Sequence, residues 1–287
     1  MRFSLFGSCT DRKAAESKLM AMFFQVAFPT DKNGKSHWPR QTTVLEGHIR
    51  ESDFLQNYIF TQKALADDYI SALEGKSSDR MTWGDFVPLE PNAFYSPTQN
   101  GLFVSAGILQ PPFLRSEPGS VARNFGSIGA ILGHEMSHGF DETGRHFDAK
   151  GEVHNWWSEE TVAKYRNRSK CFASLFDTYH VLGRQVQGEN TENEDIADAS
   201  GLKYAYKAFL HDVTPSALEK RIFFTAYAQM YCNVELKAEA LQQVLTDTHA
   251  PSKFRVIGAL SQFEPFAEAF GCPSGSPMAP HDRCSLW

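Results

Sequence analysis

Residues His134-Glu135-Met136-Ser137-His138 form an H-E-x-x-H sequence inside an apolar pattern of helical period, Ile128, Ala130, Ile131, Leu132 and Met136. On an α-helix, positions i and i+4 share one face, so both imidazoles can reach a single metal ion. Glu135 projects beside them, close enough to hold a metal-bound water without being a ligand itself. This demand constrains the fold more than any other feature of the chain. A helix must turn a polar face into a cleft, and another element must deliver a further donor to it. Two histidines and one further donor leave the fourth position of zinc open, which marks a catalytic rather than a structural site. Zinc lowers the pKa of such a water to about 7, and the neighbouring carboxylate can take the proton. The plainer alternative is a pair of histidines on a solvated or packed helix face.

The third donor decides the class of site. A downstream histidine at the spacing H-E-x-x-H-x-x-G-x-x-H is excluded, because Asp141 stands at the glycine position and Gly144 at the histidine position. Glu159 and Glu160 follow Ser158, which reads as a helix N-cap with acidic first-turn residues favoured by the helix dipole. Glu194 and Asp198 in Glu194-Asp195-Ile196-Ala197-Asp198 share a helix face four residues apart. One can ligate the metal while the other accepts the free N–H of a ligand histidine. A charged solvated face explains that segment less well, since Ala197, Ala199, Gly201 and Leu202 crowd the helix start. Glu194 is therefore the expected third ligand.

The remaining sequence supplies the setting. A chain of 287 residues with 42% hydrophobic and 22% charged residues has globular composition and is long enough to bury roughly 75% of its unfolded surface. The net charge is −6 and Lys and Arg are scattered without a basic stripe, which argues against nucleic acid as a partner. Twenty-three phenylalanines point to a large aromatic core or groove. The longest apolar stretch, Leu19 to Phe28, is too short to span a membrane and contains Gln25. Residues 1–13 lack the apolar run and cleavage site of a signal peptide. Five cysteines, Cys9, Cys171, Cys232, Cys272 and Cys284, contain no C-x-x-C pair, so a cysteine zinc site is disfavoured. Asn167-Arg168-Ser169 is a glycosylation sequon if the chain is secreted.

The helix formers Ala14, Ala15, Glu16, Lys18, Leu19 and Met20 predict a helix over 10–28. Further helices are expected over 52–73, 120–140, 158–178 and 195–211, with one or two more over 215–244. Pro29 is the expected stop of the first, residues 30–40 are turn-rich, and 75–79 read as an exit loop. Asn92 to Ser96 and Leu102 to Ser105 flank Pro97-Thr-Gln-Asn-Gly101, a hairpin signal. Residues 272–280 read as loop. The expected fold class is mainly α with a small β-sheet.

Several stretches together resemble the neprilysin and endothelin-converting-enzyme group of zinc endopeptidases. They are Asn92-Ala-Phe-Tyr95, Ala106 to Phe113, Gly133 to Asp141, Gly151 to Trp157, Glu194 to Gly201, Thr248-His249, Phe254-Arg255 and Cys284-Ser-Leu-Trp287. The resemblance implies a thermolysin-like gluzincin catalytic domain over 89–287, with 1–88 as a remnant of an N-terminal helical lobe. It implies one Zn2+ held by His134, His138 and Glu194, with Glu135 as general base. Asp141 would orient His138 and Asp198 would orient His134. His249 would stabilise the oxyanion. Arg255 would bind a substrate carbonyl or a nearby backbone group.

The same resemblance makes Asn92 and Ala93 the partners of an extended peptide by strand addition, which the hairpin reading supports independently. Ile108, Phe113, Ile131 and Tyr231 would form the apolar pocket for the residue on the leaving side; as a set they could equally be core. The implied activity is hydrolysis of small peptides on the amino side of hydrophobic residues, in an extracellular or cell-surface setting. Cys171 would pair with Cys284, and Cys232 and Cys272 with the rest of the lobe, with which this chain could associate. The alternative is an idle, truncated zinc-binding remnant or interaction module.

Overall fold

The computed structural model describes residues 5–28, 49–74 and 89–287. The fold is mostly helical with small sheets. Helix α1 (Cys9–Met20) is capped by Ser8, whose hydroxyl accepts from the backbone N–H groups of Thr10 and Asp11. The helix expected over 10–28 stops at Met20, and Phe23–Ala27 form strand β1. The physical reason is the aromatic and β-branched run Phe23, Phe24 and Val26, which suits a pleated surface, together with a partner strand supplied from far along the chain. Gln25 is buried while Phe24 and Val26 on either side are exposed, the alternation of a strand.

Helix α2 (Phe54–Leu73) matches its expected span, whereas residues 30–40 and 75–79 lie outside the described residues. Strand β2 (Ala93–Ser96) and strand β3 (Gly101–Ser105) form the expected hairpin, with Ala93 opposite Val104 and Ser96 opposite Gly101. Asn100 takes a left-handed φ of 52° at its turn, a conformation that asparagine tolerates. β1 pairs in parallel with β3, giving the order β1-β3-β2 and leaving β2 at an edge.

The segment expected as one helix over 120–140 is two, α3 (Val121–Gly126) and α4 (Ile128–His138). Ser127 breaks it with φ −105° and ψ −92°, and its hydroxyl donates toward the carbonyls of Phe113 and Arg123. Such a side chain offers the backbone an alternative to the helical ladder. Helix α5 (Glu159–Phe176) starts at the Ser158 cap as expected. Strands β4 (His180–Val181) and β5 (Arg184–Gln185) form a short ribbon. Helix α6 (Gly188–Asp212) begins earlier than expected, and 215–244 resolves into α7 (Ala217–Met230) and α8 (Lys237–Thr246). Two helices were not anticipated, α9 (Ser252–Ser261) and α10 (Glu264–Phe270). Pro265 in the first turn of α10 and Gly271 at φ 67° after it are start and stop signals of the ordinary kind.

α4 and α6 cross at their backbones. A Cβ on Gly201 would lie 2.4 Å from the Ala130 carbonyl and 2.5 Å from the His134 nitrogen, and one on Gly133 would meet the Gly201 carbonyl at 2.8 Å. Aromatic cores flank this crossing. One packs Phe6, Phe140, Trp157, Tyr165 and Trp287; the other packs Tyr206, Phe209, Phe223 and Phe224. Cys171 on α5 is bonded to Cys284, with a Cα–Cα distance of 5.5 Å.

Gly201→Ala is expected to destabilise the chain by about 2–4 kcal/mol, since backbone rather than flexible side chain must give way. Chemical denaturation checks this, and an unchanged midpoint would refute the tight crossing. Replacing Cys171 and Cys284 together by Ala is expected to cost about 3–5 kcal/mol, the loop-closure value for a crosslink of this span. The same denaturation series reads it.

Candidate metal centre

Helix α4 carries His134 and His138 on one face, and α6 brings Glu194 and Asp198 against it across the glycine crossing. The Nε2 atoms of His134 and His138 are 3.1 Å apart. Glu194 Oε2 lies 3.1 Å from His134 Nε2 and 3.6 Å from His138 Nε2. Ligands at zinc distances of about 2.0–2.2 Å in a tetrahedron sit about 3.3 Å from one another, so these three atoms fit one zinc ion. Glu194 Oε2 is also buried with no hydrogen-bond donor aligned on it, although imidazole nitrogens surround it. A polar atom left in that state suits a metal ligand.

The outer nitrogens of both imidazoles are held by carboxylates. His134 Nδ1 is 2.8 Å from Asp198 Oδ1, and His138 Nδ1 is 2.8 Å from Asp141 Oδ2. Donation from Nδ1–H to these oxygens leaves both Nε2 lone pairs facing the metal position. Asp198 is buried yet has no lack of donors. Arg255 grips it with two bonds of 2.7 Å, and the Tyr231 hydroxyl donates to it at 3.0 Å. The Arg255 guanidinium also stands 4.8 Å over the Tyr231 ring. Arg255 is thus bonded to a side-chain carboxylate, and Tyr231 contributes its hydroxyl as well as its ring. Neither role carries a spacing signal, because both partners come from different helices.

Glu135 Oε1 is 4.0 Å from His134 Nε2, beside the cluster rather than in it. Burial pushes its carboxyl up, against the pull of the two histidines. Burial alone would push Glu194 and Asp198 up too. The three imidazoles facing Glu194, and Arg255 with His134 at Asp198, hold both well below the usual carboxylate range. His249 Nε2 is 3.1 Å from Glu194 Oε2, and its Nδ1 is 3.1 Å from Asp247. Glu194 is the chief cause of its raised pKa.

A cleft of about 580 Å³ opens over this cluster. Its lining includes Asn92, Ala93, Ile108, Phe113, Ile131, Tyr231, His249 and Arg255, so every sequence-expected substrate residue faces one space. Thr143 and Met230 line it as well and had no sequence signal. β2 runs along the cleft with its outer edge unpaired among the described strands.

In the metal-free protein His138 is held well above the usual imidazole value and His134 above it, since Asp141, Asp198 and Glu194 outweigh burial. Zinc must therefore displace protons. Apparent zinc affinity is expected to fall as pH falls, by about tenfold per unit for each proton displaced. Chelator competition between pH 8 and pH 6 tests this; a flat profile would contradict the ligand set.

Residues 92–286 match the model of peptidase family M13. Mouse endothelin-converting enzyme 1 is 40% identical over 291 residues, covering 96% of this chain and 36% of that protein. Neprilysin-11 of Caenorhabditis elegans is 42% identical over 216 residues, covering 71% and 25%. Among solved structures, PepO from Lactobacillus rhamnosis superposes with a TM-score of 0.83 at 28% identity, covering 96% of this chain and 42% of that one. The Mycobacterium tuberculosis zinc metalloprotease Zmp1 does so with 0.81 at 26%, covering 100% and 44%. The chain thus spans little more than a third of the length of the curated relatives it matches. On the match over residues 92–286 and the 40% identity across nearly its whole length, this chain belongs to peptidase family M13.

Proposed function

We propose that the chain is a zinc metalloendopeptidase that hydrolyses small peptides on the amino side of hydrophobic residues. The observation that carries this reading is the convergence of His134 Nε2, His138 Nε2 and Glu194 Oε2 at the floor of a cleft, with Glu135 beside them. Zinc held by these three residues would supply Lewis-acid polarisation of a water and of the scissile carbonyl. Glu135 takes the proton of the attacking water and later delivers it to the leaving amine. Its place beside the cluster rather than in it leaves the carboxylate free to accept and release that proton.

His249 donates to the oxyanion from Nε2 while its Nδ1 faces Asp247. Asp198 and Asp141 keep the two ligand imidazoles in the required tautomer. Arg255 keeps Asp198 ionised and in place. The peptide lies along the free edge of β2, with Asn92 and Ala93 pairing to its backbone. Ile108, Phe113, Ile131 and Tyr231 receive the hydrophobic side chain that follows the cleaved bond. An extracellular or cell-surface setting is part of the proposal. The bonded Cys171–Cys284 pair supports it, since such bonds persist in oxidising compartments.

Glu135→Gln is expected to reduce cleavage of a quenched fluorescent peptide by at least about a thousandfold, the upper part of the general acid–base range, while zinc stays bound. A chelator is expected to abolish cleavage by the parent chain and added zinc to restore it. A folded parent chain that holds one zinc and cleaves nothing would defeat the reading.

A further inference from the structure

Lys18 is the one buried lysine among the described residues, with 1% of its surface exposed. Among the described residues no carboxylate pairs with its ammonium. Its Nζ donates instead to the carbonyls of Gly144 and Phe147, each at 2.7 Å, and the rings of Tyr95, Phe140 and Trp156 surround it at 5.7–6.0 Å. Burial pushes it down to about 7 against the pull of Asp141 and Asp148, but ammonium and amine alike can donate two N–H bonds. Withdrawing a lysine from water this far is costly, and an apolar side chain of the same length would pack α1 at least as well. Packing therefore does not account for the residue, but the identity of its two acceptors does.

Gly144 and Phe147 bound the single turn that follows Asp141. The Gly144 N–H donates to Asp141 Oδ1 at 2.6 Å while its carbonyl accepts from Lys18. A Cβ at Gly144 would lie 1.8 Å from the His138 carbonyl, so this peptide unit is pressed against the end of α4. The other oxygen of Asp141 holds His138 Nδ1. An unbroken line of bonds thus runs from Lys18 through Gly144 and Asp141 to His138. On its other side α1 is fixed by Asn100, whose amide donates to the Lys18 carbonyl at 3.0 Å.

Resting on the zinc-site reading above, we propose that Lys18 is a positioning residue for the ligand His138, fixing the turn that carries Asp141. Zinc affinity then depends on a residue of the N-terminal helix that never touches the metal.

The test compares two substitutions on the same helix in the full chain. Lys18→Met keeps the length of the side chain and removes its N–H groups. Asp11→Asn loosens the other anchor of α1, where Asp11 accepts from Ser158 and Thr161 rather than from a group of the turn. Zinc dissociation constants are read by chelator competition, alongside Tm of the zinc-free proteins and the visible spectrum of the cobalt forms. K18M is expected to bind zinc about 10–100-fold more weakly, the usual cost of losing an outer support of a ligand, with an altered cobalt spectrum. D11N is expected to bind within about threefold of the parent whatever its Tm, by the same criterion.

Unchanged zinc affinity in K18M would overturn the proposal, as would losses in both variants that merely follow their drops in Tm. If K18M does not fold, Lys18→Leu, which likewise removes every N–H group from the side chain, is judged by the same comparison. A parent chain that binds zinc but cleaves no peptide would defeat the peptidase reading and leave this inference to stand or fall on the affinities. Cleavage with unchanged affinity in K18M would do the reverse.

Discussion

Everything in the centre depends on two helices touching through their backbones. Side chains at positions 133 and 201 would hold α4 and α6 apart, and the carboxylates of α6 would then miss the imidazoles of α4. With glycine at both, a 2.8 Å bond from His134 to Asp198 and the approach of Glu194 follow from the crossing itself. The aromatic cores on either side act as abutments for that contact. Close packing of this kind has little compliance, so the site inherits its geometry from the fold rather than from mobile loops.

The electrostatics are arranged in the same economical way. Asp198 is almost wholly removed from water, a state that is unfavourable for a carboxylate unless donors replace the lost solvent. Arg255, Tyr231 and His134 do so together, and each is in turn fixed by that acceptance. Removing one partner would leave a buried charge without compensation, which is worse than never having placed the charge there. Glu194 differs in kind. Its buried oxygen is ringed by imidazole nitrogens yet receives no aligned donor, the mark of an atom reserved for something other than a hydrogen bond.

Local features were readable in the sequence, and tertiary ones were not. His134 and His138 declare themselves because a ligand pair on one helix has a fixed spacing, and Glu194 with Asp198 repeats that logic. The Ser158 cap and the hairpin around Asn100 are likewise settled within a few residues. Strand β1 was missed because its helix-forming prefix runs smoothly into it and its partner, β3, lies some eighty residues on. The break at Ser127 depends on the distant carbonyl of Phe113. The bonds from Arg255 to Asp198 were not legible, because nothing in the chain order places the two together. The burial of Lys18 has no signal in the sequence, since a lysine in a polar helix carries no sign that it will be buried. Helix α10 carries ordinary signals in Pro265 and Gly271, whereas α9 has no side-chain cap at its start and ends at Gln262 without a glycine.

The ring of Phe6 stacks at 6.2 Å from that of Trp287, and β1 meets β3 only after the long stretch between them. A ribosome makes Phe6 long before it makes Trp287, so this core cannot close until Trp287 has emerged. Until then the N-terminal helix lacks the cavity that shelters its lysine and aromatic side chains. The metal helix is synthesised midway, with its anchoring partners divided between chain already made and chain still to come. Assembly of the centre is thus a late, cooperative event, slow by the measure of its distant contacts and open to capture by other exposed chains until the C-terminal residues arrive.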